Sequence, residues 1–118
     1  MDMTQLQQYI LPVLIVGFFG WRFVKFKMTK SQIPQLRKRG AVVIDVRSPS
    51  EYSGGASEGS INIPLGDLPN RLGGMDREKP VVVCCASGTR SAMAAAILRK
   101  NGFKEVVNAG PWANTVEV

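Results

Sequence analysis

The chain contains no histidine and only two cysteines. The first absence excludes Ser-His-Asp and Cys-His machinery and any histidine-ligated metal site. The second excludes a four-cysteine zinc site. Cys84 and Cys85 are neighbours, and in an extended strand their side chains point to opposite faces. No disulfide framework follows, and a reducing compartment suits this cysteine usage. Acid is missing from one part of the chain. Arg22, Lys25, Lys27, Lys30, Arg37, Lys38 and Arg39 are seven bases with no acid among them. From Gly40 onward eight bases meet eight acids, so that block, less Asp2, carries the whole formal charge of +6. A local basic block beside the most hydrophobic segment argues against nucleic acid as the partner. At 118 residues there is room for one globular domain.

Between Asp2 and Arg22 lie nineteen uncharged residues with an apolar core from Tyr9 to Trp21. As a helix they reach about 28 Å, close to the ~30 Å of a hydrocarbon core. Tyr9 and Trp21 near the ends suit the interface. The expectation is a single-pass anchor over residues 1–28, basic juxtamembrane segment included. The positive-inside rule then places the following domain in the cytoplasm, at a bacterial inner membrane. Lys25, Lys27 and Lys30 are placed to meet anionic headgroups. A cleaved signal peptide and a buried core helix compete with this reading. The segment before Tyr9 lacks a positive n-region and a small-residue cleavage site, and the apolar run lacks a polar face.

Residues 29–118 alternate strand and helix signals. Thr29 or Ser31 can cap a short helix through Pro34 to Lys38, ended by Gly40. Ala41 to Val46 is a β-branched run of the kind buried on both faces. Ser48 caps a turn through Pro49 to Tyr52, and Ser60 to Ile63 is a short strand. A helix interrupted by Pro69 spans Leu65 to Leu72. Val81 to Cys84 forms a second buried strand, Arg90 to Lys100 a helix, and Glu105 to Asn108 a last strand. The fold class is α/β, a parallel sheet with helices on both faces and ligands at the carboxyl ends of its strands.

Cys85-Ala86-Ser87-Gly88-Thr89-Arg90-Ser91 occupies such an end. A strand that stops at a cysteine and turns through a glycine-containing loop into a helix makes an anion pocket. Backbone N–H groups converge on the sulfur and Arg90 adds a full charge. These surroundings lower a thiol from ~8.5 and give a thiolate nucleophile near neutral pH.

Four ordered blocks resemble the rhodanese-like domain. They are Val43-Ile44-Asp45-Val46-Arg47 with Glu51-Tyr52, then Gly59-Ser60-Ile61-Asn62-Ile63-Pro64, the Cys85 loop through Ala92, and Gly102-Phe103 with Val106 to Trp112. Two departures stand beside them. Gly55 to Glu58 lacks a histidine that the family often carries, and Gly110-Pro111-Trp112 replaces Gly-Gly-Trp. The resemblance implies a sulfurtransferase in which Cys85 takes sulfur from a small-molecule donor such as thiosulfate. A Cys85 persulfide then passes it to a thiophilic acceptor: cyanide, a thiol or a protein. It calls for no cofactor and no metal. Cys85 and Arg90 would be catalytic, and Ala86, Ser87, Gly88, Thr89 and Arg47 would bind substrate. Asp45 and Ser91 would support the loop, with Arg47 also expected to pair with Glu51. Two other readings stay open. Counted from Cys84, the loop fits a cysteine phosphatase or arsenate reductase. A tethered carrier serving one membrane-protein partner, with little small-molecule turnover, is the other.

Overall fold

Val42, Val43 and Ile44 are β-branched and apolar on both faces, which favours a strand covered from both sides. In the computed structural model, which describes residues 3–116 without the side chains of residues 22–29, they open β1, Val42–Asp45. With β2 (Ile61–Asn62), β3 (Val81–Cys85) and β4 (Val106–Pro111) it forms a four-stranded sheet in the order β2-β1-β3-β4. Every pairing is parallel.

The helices follow from local signals. Ser48 and Glu51 form a reciprocal capping box at the start of α2, Pro49–Ser53, with proline in the first turn, where its missing N–H costs nothing. Alanine-rich α3, Thr89–Lys100, ends in Arg99 and Lys100, which complement the helix dipole. Leu65–Asn70 winds as a 3₁₀ turn with Pro69 inside, where an α-helix through Leu72 was expected. A second 3₁₀ turn, Trp112–Thr115, follows β4.

The sheet divides the interior into two cores. On one face Ile44, Val46, Val83 and Cys85 pack with Leu68, Ala94, Ala95, Leu98 and Phe103. On the other, Val43, Val82, Cys84 and Ala109 pack against Ile33 and Leu36. Full burial of each large aliphatic side chain contributes roughly 1.5–3 kcal/mol.

Ile33 and Leu36 belong to α1, Met3–Lys38, one continuous helix of 36 residues. The expected start at Thr29 or Ser31 is therefore absent: the chain arrives there already helical. Pro34 lies inside the helix on its exposed side, where the carbonyl it frees can meet water. Tyr9, Ile10, Leu14, Phe19 and Trp21, farther up α1, are exposed.

Among the described residues no helix is long and apolar enough to cross a membrane. Thr4, Gln5, Gln7 and Gln8 make the first turns polar, leaving Tyr9 to Trp21 as the unbroken run. Thirteen residues rise about 20 Å, short of a ~30 Å core. This corrects the expected transmembrane anchor and, with it, the single-pass inner-membrane location and the cytoplasmic orientation deduced from the span. Of Lys25, Lys27 and Lys30, read above as meeting headgroups, the side chains of Lys25 and Lys27 lie outside the described residues and Lys30 is exposed.

Candidate active site

Strand β3 ends at Cys85 and α3 begins at Thr89, so three residues turn the chain between them. Gly88 makes the turn possible. Its φ of 108° lies in the left-handed region, where a side chain is strained. That conformation aims the Gly88 N–H at Cys85 Sγ, 2.9 Å away. The thiol donates to Ser91 Oγ at 3.4 Å, and the Ser91 hydroxyl donates to Gly88 O at 3.1 Å. Once the sulfur is ionised, the same hydroxyl can rotate to donate to it.

Burial pushes the Cys85 thiol up. The Ser91 hydroxyl and the amides of Ser91, Gly88 and Ser87 outweigh that effect, and the net direction is down. Cys85 and Gly88 are buried, whereas Ala86, Ser87 and Thr89 are exposed around them. The sulfur thus sits beneath a small, uncharged rim.

Cys84 is in the opposite situation. It faces Ile33, Leu36, Val43 and Ala109 in the second core. Burial, then the charge of Asp45, pushes its thiol up to about 12. A thiol on the far side of the sheet from the loop cannot serve as that loop's nucleophile, and the phosphatase reading built on Cys84 is corrected accordingly.

The two arginines differ from expectation in their partners. Arg47 was expected to pair with Glu51, but its guanidinium grips Asp45 through Nε at 3.0 Å and Nη2 at 2.8 Å. Its remaining hydrogen bonds go to Glu51 O at 3.2 Å and Gly55 O at 2.7 Å. Trp112 lies against it, 4.8 Å from ring centroid to Cζ. Asp45 is fully buried and Arg47 nearly so. Asp45 also accepts from the Arg47 N–H at 3.0 Å, so this pair braces the turn after β1 rather than the Cys85 loop. Enclosed in this way, Arg47 is withdrawn from any anionic donor.

Arg90 takes the Glu51 carboxylate instead, Nη1 to Oε1 at 2.7 Å and Nη2 to Oε2 at 2.9 Å. The same carboxylate accepts from the Ser48 N–H at 3.1 Å and Ser48 Oγ at 3.0 Å. Arg90 first, then Ser48, holds Glu51 down at about 2. Glu51 therefore links the start of α2 to the start of α3. Sequence reasoning named Glu51 but gave it the wrong arginine.

Arg37 of α1 is a further residue that sequence reasoning left without a role. It donates to Ser57 Oγ at 2.8 Å, Thr115 O at 2.9 Å and Glu58 O at 3.2 Å. It ties the helix to the segments flanking the sheet. Among the described residues no group of three or more histidine, cysteine, aspartate or glutamate side chains is placed to hold a metal ion.

Comparison with known proteins gives the arrangement a context. The rhodanese-like domain model matches residues 29–109. The putative sulfur carrier protein YrkF of Bacillus subtilis is 38% identical over 79 residues, which cover 64% of this chain and 43% of that protein. This chain thus spans less than half of that relative's length. The thiosulfate sulfurtransferase GlpE of Stutzerimonas stutzeri is 34% identical over 80 residues, covering 68% of this chain and 73% of that protein. Among solved structures, a rhodanese with anions from E. coli superposes with a TM-score of 0.59 at 36% identity, covering 63% of this chain and 89% of that one. The chain belongs to the rhodanese-like family.

Proposed function

We propose that this protein is a sulfurtransferase that carries sulfane sulfur on Cys85. The observation behind the proposal is the Gly88 N–H at 2.9 Å from Cys85 Sγ, with Ser91 on the sulfur's other flank. Such a cradle favours a thiolate and, equally, the anion of a persulfide. In the first half-reaction the Cys85 thiolate attacks the outer sulfur of a donor such as thiosulfate. The donor's S–S bond breaks and sulfite leaves with the bonding pair. In the second, a thiophile attacks the outer sulfur of the persulfide, and the Cys85 thiolate returns. This reading assigns no general base, because the Gly88 N–H and the Ser91 hydroxyl favour the thiolate over the thiol.

Ser91 and the amides of Ser87 and Gly88 hold the sulfur in this reading. Ala86, Ser87 and Thr89 form the donor-facing rim. Arg90 positions the loop through Glu51, and Asp45 with Arg47 acts at one remove by fixing the turn after β1. Similarity to a putative sulfur carrier supports a second reading, in which Cys85 serves one dedicated acceptor and turns over small molecules slowly.

Intact-mass analysis after thiosulfate treatment tests the proposal on wild type, Cys85→Ser and Cys84→Ser. One added sulfur atom in wild type and Cys84→Ser, absent in Cys85→Ser, is expected. An adduct that survives in Cys85→Ser would sink the assignment. Turnover with thiosulfate and cyanide then separates the enzyme from the dedicated carrier.

A further inference from the structure

The Cys85 loop carries one cation, Arg90, and both of its terminal nitrogens are committed to Glu51 at 2.7 and 2.9 Å. Arg47, the other arginine of the site, is enclosed by Asp45, Gly55 O and Trp112. The rest of the rim, Ala86, Ser87 and Thr89, is uncharged. Glu51 is itself fixed in place, since the Ser48 N–H and hydroxyl hold the same carboxylate. If Arg90 swung away toward a ligand, a carboxylate held by Ser48 would stay behind at the start of α3, unpaired, and repel an anion.

We infer that Glu51 tunes donor choice: by closing Arg90 into an ion pair it disfavours dianionic thiosulfate relative to sulfane donors of lower charge, such as persulfides. The inference rests on the sulfurtransferase reading and concerns which donor loads Cys85. With a persulfide R–S–SH, the Cys85 thiolate attacks the outer sulfur, the S–S bond breaks and the pair leaves on RS⁻. The outer sulfur keeps its hydrogen and Cys85 becomes a persulfide. The donor brings no negative charge to the mouth, and the charge of the thiolate leaves on RS⁻. With thiosulfate two negative charges must approach, and they depart as sulfite.

Single-turnover sulfur uptake by the full chain tests this, with thiosulfate and with 2-hydroxyethyl persulfide as donors. The proteins are wild type, Glu51→Gln and Glu51→Asp. Glutamine also completes a capping box, so α2 keeps its start. Removing one charge about 6–8 Å from a dianion in a water-like dielectric corresponds to about a five- to tenfold rate change. Glu51→Gln should raise the thiosulfate-to-persulfide rate ratio by that factor, while Glu51→Asp, which keeps the charge, should hold the wild-type ratio. An unchanged ratio in Glu51→Gln, with both donors loading Cys85, overturns the inference and leaves the sulfurtransferase reading standing. An equal shift in Glu51→Asp also overturns it, because packing rather than charge would then be responsible. Failure of wild type to load from either donor overturns the sulfurtransferase reading and the inference together.

Discussion

Cys84 and Cys85 share a peptide bond yet pack into different cores, Cys84 against α1 and Cys85 beneath the loop that opens α3. Strand alternation alone separates them. One thiol is pushed up and its neighbour down, so the sheet divides a core filler from the thiol proposed to carry sulfur.

The raised thiol has an alkaline signature. Cys84 moves from 9.0 to about 12 on folding because the fold prefers it neutral. Its contribution to stability is complete below pH 9.0 and is lost as pH rises toward about 12. Urea midpoints of wild type and Cys84→Ala should therefore converge across that window. A gap that stays constant with pH would contradict the assignment.

Cys85 should behave in the opposite sense. Its thiolate should persist below the ordinary 9.0, so thiolate absorbance in a Cys84→Ser background should reach its half-point at lower pH. The associated stability is present above 9.0 and is lost as pH falls through the folded value. Ser91→Ala removes the hydroxyl partner and should move the half-point up, slowing sulfur uptake at neutral pH several-fold. An unmoved half-point would remove Ser91 from thiol activation.

Two arginine deletions should differ widely. Arg47→Ala leaves the buried Asp45 carboxylate without its partner, and the expected loss is about 3–5 kcal/mol. Arg39→Ala breaks an ion pair to Glu105 whose side chains are 57% and 41% exposed and screened by water, so the loss should be small beside it. Comparable losses in denaturant titrations of the two variants would refute this account of the turn after β1.

Gly88→Ala places a methyl group on a residue at φ 108°. The strain costs roughly 1–2 kcal/mol. Relaxing it would turn the Gly88 N–H away from Sγ, so sulfur uptake should fall more than stability does. Full uptake in a folded Gly88→Ala variant would show that this amide does not matter to the sulfur.

Much of this architecture was legible in the sequence because its causes are local. The β-branched run before Asp45, the Ser48 cap and the alanine-rich α3 each specify their own element. The Cys85 loop was readable for the same reason, as a strand end, a glycine and a helix start lie within seven residues. What escaped the reading depends on which of several possible partners the fold presents. Glu51 meets Arg90 across 39 positions, and nothing in the short interval between Arg47 and Glu51 announces that Asp45 holds Arg47 instead. Strand β4 runs on to Pro111 past a register slip between Val83 and Cys84, an irregularity visible only once β3 and β4 are paired. The apolar run from Tyr9 has the hydrophobicity of a span without its length, because the turns before it are polar.

Glu51 also fixes when the loop's order is acquired. Its carboxylate clasps two helix starts, through Ser48 at α2 and Arg90 at α3, so the turn between β3 and α3 is braced before any donor arrives. The loss of backbone freedom at Ala86 to Gly88 is then met during folding, and a donor encounters a mould already set. Sulfur uptake should proceed with little entropic penalty from the loop, its rate governed by the chemistry at sulfur and by the charge at the mouth.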